Sequence, residues 1–332
     1  MKANAVIFTA PNSVEYGEVN CPDPGPDDVV VRVTHSWISN GTEGSYLRGE
    51  RIAGDTPYRP GDPWPFPIVS GYQKIGVVEW VGANIFDLVV GEMVFAAFGK
   101  VEGMFEPRGG QVSPSVCPRD QVWKLPPDVT PLAFSGLVLT QVGYNAGTRG
   151  TLRVGDGAVV IGDGLVGQWT AQTLSRRGAQ VVMAGKHHDR LAKFSKGPLR
   201  QTLNTQKCDW VQEIQKKFPQ GVQIAVDTVG SIKVIDALFP LMKRGGHIVS
   251  AGFYGTEDRV ALQPLRYREL ALELVSGWVK ERMDATIAMI TAGNLETLSL
   301  ITHHFPVAQA PEAWHLIKSK HEPVLGVILD WM

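Results

Sequence analysis

The sequence predicts an α/β chain in two parts: a β-rich domain first, then a doubly wound parallel sheet. Three observations carry this. Short β-branched runs separated by Pro, Gly, Asn and Asp fill the first third. From about Gly150, short apolar runs alternate with helix-like stretches, the pattern of a parallel sheet covered on both faces. A G-x-G-x-x-G spacing then falls at the first strand–helix junction of that second part.

In order along the chain, "NAVIFT", "DVVVRVTHS", "IGVVEWVG" and "EMVFAAFG" read as strands. "RGERIAGDTPYRPGDPWPFP", Arg48 to Pro67, carries five prolines, which cannot donate to a ladder, and reads as a stiff extended loop or lid. In the second part "GAVVIGDG" is a buried strand, "LVGQWTAQTLSRRG" a helix and "AQVVMAG" the next strand. "VQIAVDTVG", "SIKVIDALFPLMKRGG" and "HIVSAGF" repeat the pattern, and the last 40 residues return to helix and short strand. The boundaries expected are 1–146 with 291–332 for the first domain and 147–290 for the second.

Composition narrows the function classes. With 332 residues, 44% hydrophobic and 20% charged, the chain reads as a soluble globular protein with length for a sizeable core. A formal net charge of −1 makes no case for nucleic acid or an anionic membrane surface, which leaves a small-molecule substrate. Polar residues and Pro11 interrupt the N-terminus, so no signal peptide is expected, and no apolar run is long enough to span a bilayer. Cys21, Cys117 and Cys208 are odd in number and far apart, against a disulfide framework and a Cys-rich zinc site. The expected location is the cytoplasm.

Gly162, Gly164 and Gly167, with Leu165 and Val166 between them, form a phosphate cradle. The first glycine allows a tight turn, the second lets backbone approach a pyrophosphate, and the third lets helix pack on strand. Backbone N–H groups and the positive end of the helix dipole then hold the phosphates. The second strand ends at Gly185, where an NAD site normally carries a carboxylate for the ribose hydroxyls. The next five residues are "KHHDR", so Lys186, His187 and Arg190 are candidates for a 2′-phosphate, favouring NADP over NAD. The alternative reading makes them solvated loop charges diluted by Asp189.

The order of domains, together with "LRVGDGAVVIGDGLVG", "AVDTVG", "LMKRGGHIVSAG" and "PEAWHLIKSK", resembles the medium-chain dehydrogenase/reductase superfamily over nearly the whole chain. The resemblance implies a GroES-like catalytic domain, a Rossmann domain, an active site in the cleft between them, and a homodimer paired through sheet edges near residues 245–285. Zinc-dependent members place their metal with a Cys, a His-Glu pair and a further ligand. In this chain Ser39 or Asn40 stands where the first Cys would be, Tyr72 and Gln73 replace His-Glu, and the Cys expected around Val138 is missing. These donors do not suit zinc, so no metal is expected. "SWISNGTE", "SGYQ" and "FGKVEGMF" resemble the bacteriochlorophyllide dehydrogenase subgroup in particular.

Without zinc, a hydrogen-bond donor must meet the developing oxyanion. Tyr72 leads, since the resemblance puts it at a metal-ligand position; the alternative is that it only packs. Lys74, two residues on, shares a face with it if the stretch is extended. Ser39 is a candidate proton relay, and Glu43 an anchor of the turn. The resemblance further implies a cofactor lining of Thr228, Val229, Ala251, Gly252, Phe253, Ser276, Gly277 and Trp278, each equally readable as a packing site. Trp37, Tyr46, Tyr58 and Trp64 are candidate substrate contacts, or ordinary core. His303 and His304 read as a strand-entry loop without a metal role. The function expected is a zinc-independent NADP(H) oxidoreductase acting on a carbonyl or alcohol of a bulky substrate. The alternatives are a quinone- or enoyl-type reductase of an activated double bond, and a non-catalytic NADP(H)-binding sensor or structural protein.

Overall fold

Alternating and continuous apolar runs sort this chain into two kinds of sheet, and the computed structural model, which describes residues 1–194, 197–255, 259–319 and 321–332, contains both. The first compact unit comprises Met1–Val138 and Thr297–Met332, the second Leu139–Glu296. The boundaries drawn from the sequence lie a few residues away. The helix Leu137–Thr148 starts at the first division, so 146/147 falls near its end; 290/291 falls near the end of the helix Lys280–Thr291.

In the first unit, a seven-stranded sheet runs in the order Val122–Lys124, Met93–Ala96, Lys74–Val81, Asp28–Ile38, Gly326–Asp330, Ile301–Pro306, with Ser115–Pro118 also pairing Asp28–Ile38. The C-terminal return therefore supplies two strands of the sheet, parallel to each other and antiparallel to Asp28–Ile38. His303 and His304 lie within the strand Ile301–Pro306, correcting the loop reading, and meet Glu322 and Asp330. A four-stranded sheet forms around Lys2–Ala10. Part of the Pro-rich stretch is not loop: Arg51–Ala53 and Thr56–Pro57 pair as a short antiparallel ribbon.

Two side chains singled out from the sequence are drawn into this unit's core. The Trp37 ring is fully buried in a slot between Gly136 and Gly326, where an added Cβ would come within 2.9 and 2.4 Å of it. It is core, not a substrate contact. Lys74 opens a strand hydrogen-bonded on both sides. Its side chain has 0% exposure, and its amine donates to the Ala97 carbonyl at 2.9 Å.

In the second unit all six strands are parallel. They are Gly157–Ile161, Gln180–Gly185, Arg200–Asn204, Val222–Asp227, Met242–Ser250 and Ala271–Leu274, and they lie in the order 3-2-1-4-5-6. This is the Rossmann order. The third and sixth strands were not read from the sequence; Arg200–Asn204 is polar and only half-buried, so it lacks the apolar run that marks its neighbours. "KRGG" belongs to the fifth strand as an irregularity in its pairing. Among the described residues no helix is long and apolar enough to cross a membrane.

Burial lowers the pKa of Lys74, because the charged amine loses its hydration. Between that lowered value and the ordinary lysine range the unfolded chain binds the proton and the folded chain does not, so stability rises with pH. Urea unfolding at pH 7 and pH 9.5 checks this: relative to Lys74→Met, the wild type gains stability at the higher pH, and a constant difference contradicts it.

Candidate functional site

The turn carrying Tyr72 is fixed by backbone packing. Gly71 has φ +80°, and a Cβ there would lie 2.5 Å from Gln111 Cγ. Gly110 faces it, with room for no Cβ against the Tyr72 N–H at 2.2 Å. Only glycine satisfies both the positive φ and the close approach. So held, Tyr72 Oη donates to Ser39 Oγ at 2.6 Å, joining two segments 33 residues apart. The Ser39 N–H in turn donates to Glu43 Oε1 at 2.7 Å, closing the turn that starts the helix Thr42–Leu47. The Tyr72 ring lies edge-on to Phe98 at 6.5 Å, and the Arg108 guanidinium covers Phe98 at 5.2 Å.

Two groups here titrate far from their ordinary ranges. Burial pushes the Tyr72 phenol well up; hydrogen bonds to Ser39 and Thr42 pull back, and the Glu43 carboxyl pushes further. Arg51 lowers it least of these, so the acidifying cation is outweighed. Burial also pushes Glu43, 2% exposed, up to about 8 against an opposing N–H from Ser39 and the Gln111 amide alongside. Behind them Ser36 donates to Gln111 Oε1 and accepts from Trp331 Nε1. The phenol and the carboxyl both favour their protonated forms here, and the Tyr72–Ser39 hydroxyl pair is suited to giving a proton and poor at removing one.

Lys74 is not part of it. Tyr72 and Gln73 precede the strand, so the two-residue alternation that would put Lys74 beside Tyr72 does not hold, and its amine is spent on Ala97. Of the proposed substrate contacts besides Trp37, Tyr46 packs in the core beside Leu47 and Trp314, its hydroxyl donating to Gly54 O at 3.1 Å. Tyr58 and Trp64 form an edge-to-face pair at 6.2 Å, and Trp64, 55% exposed, leans on Phe66.

In the second unit Gly162 has φ +117°, and its Cβ would strike Thr228 Oγ1 at 2.2 Å. A Cβ on Gly167 would strike the Gly162 carbonyl at 2.1 Å. Gly164 caps the helix Leu165–Arg176 without a side-chain bond, and nothing lies within 4 Å of its Cβ position. That opening at a helix N-terminus suits a pyrophosphate. Leu165 is buried, and Val166 half-buried, on the first turn of that helix. Thr228 donates to the Ile161 carbonyl, and Val229 is exposed at the tip of the next turn. Gly252 abuts Gly230 so closely that a Cβ would lie 2.1 Å from its nitrogen, so this glycine serves backbone packing; Ala251 and Phe253 flank it, half-buried. Ser276 and Gly277 are exposed, Trp278 is half-buried, and the Gly277 carbonyl accepts from Gln141.

Sequence reasoning missed Asp163. This carboxylate, 5% exposed, accepts the N–H groups of Lys186 and His187 on Oδ2 at 2.7 Å each. His187 Nδ1 sits 3.0 Å from Oδ1, and Arg190 Nη1 3.6 Å. The signal was an acid inside the Gly-rich turn and a cluster of cations 23 positions on.

Comparison with known proteins gives concordant findings. The family model described as zinc-binding dehydrogenase matches residues 166–292. The chain is 28% identical over 343 residues to 2-desacetyl-2-hydroxyethyl bacteriochlorophyllide A dehydrogenase of Cereibacter sphaeroides, covering 100% of this chain and 99% of the relative. Among solved structures, a protein described as a zinc-binding dehydrogenase from Sinorhizobium meliloti 1021, bound to NADP, superposes with a TM-score of 0.84 at 19% identity over 99% of both chains. A short chain alcohol dehydrogenase from Escherichia coli CFT073 with NADH gives 0.84 at 21% identity, again over 99% of both. The same fold thus accompanies either cofactor.

The residues present do not fit a catalytic zinc. Asn40 donates to the Leu325 carbonyl, buried Gln73 donates to the Trp37 carbonyl, and Tyr72 donates to Ser39. Zinc takes thiolate, imidazole or carboxylate. Among the described residues no group of three or more His, Cys, Asp and Glu is placed to hold a metal.

The raised Glu43 carboxyl has a consequence for stability. Its folded pKa of about 8 lies above the ordinary 4.5, so its contribution is intact below pH 4.5 and is lost as pH rises through 8. Relative to the wild type, Glu43→Gln is expected to gain roughly 4 kcal/mol between pH 5 and pH 9 in denaturant titrations. Equal stability at both pH values contradicts the assignment.

Proposed function

We propose that this chain, which belongs to the medium-chain dehydrogenase/reductase superfamily of zinc-type alcohol dehydrogenase-like proteins, is an NADP(H)-dependent oxidoreductase. It acts without zinc on a carbonyl or alcohol of a bulky cyclic or aromatic substrate. The observation that carries this reading is the Tyr72–Ser39 hydrogen bond at positions where zinc-dependent members hold their metal. A bound nicotinamide supplies the hydride donor or acceptor. The chain supplies the rest. The Gly162–Gly167 turn receives the pyrophosphate, and Lys186 and His187, both exposed beyond a strand end without a carboxylate side chain, meet the 2′-phosphate. Tyr72, kept protonated by burial, turns its hydrogen from Ser39 Oγ to the substrate oxygen and gives it up as the carbonyl is reduced; Ser39 then donates its own hydroxyl proton to the phenolate and regains one from solvent.

Substrate size is argued from the aromatic face. Tyr58 and exposed Trp64 present flat apolar surface on the same unit as Tyr72, and the Cereibacter sphaeroides relative is named for a hydroxyethyl bacteriochlorophyllide, a large ring alcohol. Reduction of an activated double bond is the competing chemistry, told apart by whether the product is a saturated carbonyl or an alcohol.

Two measurements test the reading. Metal analysis of protein prepared in zinc-containing medium is expected to find no stoichiometric zinc; one zinc per chain would sink it. Tyr72→Phe is expected to lower kcat on a cyclic ketone about 10²–10⁴-fold with NADPH affinity unchanged; full turnover would assign Tyr72 to packing. NADPH binding with no turnover across ketones and enones by the wild type would favour a sensor.

Among the described residues the sixth strand of the second unit pairs on one side only; Leu274 on it, and Leu262 and Tyr267 on the helix Leu262–Tyr267 that precedes it, are each more than 70% exposed. An open edge with apolar neighbours supports a homodimer joined there. Sedimentation is expected to show a dimer that Leu274→Lys converts to monomer.

A further inference from the structure

We infer that Asp163 is the residue that sets cofactor specificity, although it is placed to touch protein rather than cofactor. The inference rests on the NADP(H) reading and names the device behind it. Its first component is steric. A Cβ on Gly185 would lie 2.5 Å from both Cβ and Oδ2 of Asp163. While Asp163 is in place, no side chain fits at 185, the strand end where an NAD site carries its carboxylate. The acid in the Gly-rich turn thus excludes the acid that would select for NAD.

The second component is orientation. One oxygen of Asp163 takes the two successive backbone N–H groups of Lys186 and His187. The other faces His187 Nδ1 and the Arg190 guanidinium. With four donors converging on it at 5% exposure, the carboxylate turns no free lone pair outward to repel a phosphate. Because a carboxylate only accepts, Nδ1 carries the ring hydrogen and Nε2 is the outward end of a half-exposed ring, a donor toward a phosphate when the imidazole takes its second proton. Among the described residues neither His187 Nε2 nor the Lys186 amine has a hydrogen-bond partner. The result is a segment whose outward groups are an ammonium and an imidazole that becomes a second cationic donor on protonation, suited to a phosphate monoester on a ribose. Asp163 is a positioning residue: it acts through 185, 186 and 187.

The test measures dissociation constants of NADPH and NADH by fluorescence titration, with melting curves as the control on folding. The wild type is expected to prefer NADPH at least tenfold. Asp163→Asn, which keeps the shape and removes the charge that orders the ring, should weaken NADPH about tenfold and leave NADH within twofold. Gly185→Asp alone should bind both cofactors poorly, because the new side chain meets Asp163. Asp163→Gly combined with Gly185→Asp should restore binding and invert the preference to NADH, an outcome that loss of a merely structural contact does not produce. If the wild type prefers NADPH and Asp163→Asn keeps the full ratio, the inference is overturned and the NADP(H) reading stands. A wild type that prefers NADH overturns both. Should Asp163→Asn fail to fold, the double variant decides: NADH preference supports the role of Asp163, and retained NADPH preference refutes it.

Discussion

The Glu43 carboxyl, buried to 2% exposure with no metal-binding set around it among the described residues, is the constraint on which the first unit's site depends. A charged group so placed needs a cation or a proton. The Arg51 guanidinium is engaged by Ser45, the Gly54 carbonyl and Asp55. The proton therefore wins, which is why the carboxyl titrates near 8. Burial keeps the Tyr72 hydroxyl protonated, and charge on Glu43 pushes it the same way. In the proposed reading the site works by hydrogen bonding where a metal site would work by fixed positive charge.

The second unit solves the same problem the other way. Asp163 is nearly as buried, but four donors surround it, two from consecutive backbone amides. These partners satisfy its oxygens and tie the Gly-rich turn to the segment that follows Gly185. Gly185 is then explained by packing as well as by cofactor chemistry.

Much of this was legible, for reasons that differ by element. The central strands of the second unit each carry a buried apolar run, such as "AVVI", "VVMA" and "IAV", and are legible for that reason; Arg200–Asn204 at the edge carries Arg, Gln, Thr and Asn and is not. The glycine turn was legible because its spacing is itself the geometric requirement, and Gly162 and Gly167 each exclude a Cβ by about 2 Å contacts. Tyr72 and Ser39 were singled out by the positions they occupy in a motif, and the turn brings them within 2.6 Å. Lys74 misled because alternation was applied across a turn: the strand begins at Lys74, so its partner across the face is set by Ser36 and Ala96, not by Tyr72. Trp37 misled because aromatic content says nothing of the two glycines, Gly136 and Gly326, that make its slot. Asp163 escaped because the variable positions of G-x-G-x-x-G were treated as filler.

The electrostatics also bear on the kind of substrate. A metal polarises a carbonyl strongly whatever else the substrate contacts, whereas one preorganised hydroxyl stabilises a developing oxyanion by about 3 kcal/mol. A donor whose pKa is raised by burial gives up its proton less readily still. The deficit has to be met by binding energy from parts of the substrate that do not react, spent on orientation at the reacting carbon. Small alcohols have no such parts. A large flat ring has them, and the aromatic edge formed by Tyr58, Trp64 and Phe66 is surface on which that energy can be gained. Under the proposed reading, the donor set at Tyr72 and the aromatic character of the Pro-rich stretch go together: a weaker electrophile is workable when the substrate is held by more of its body.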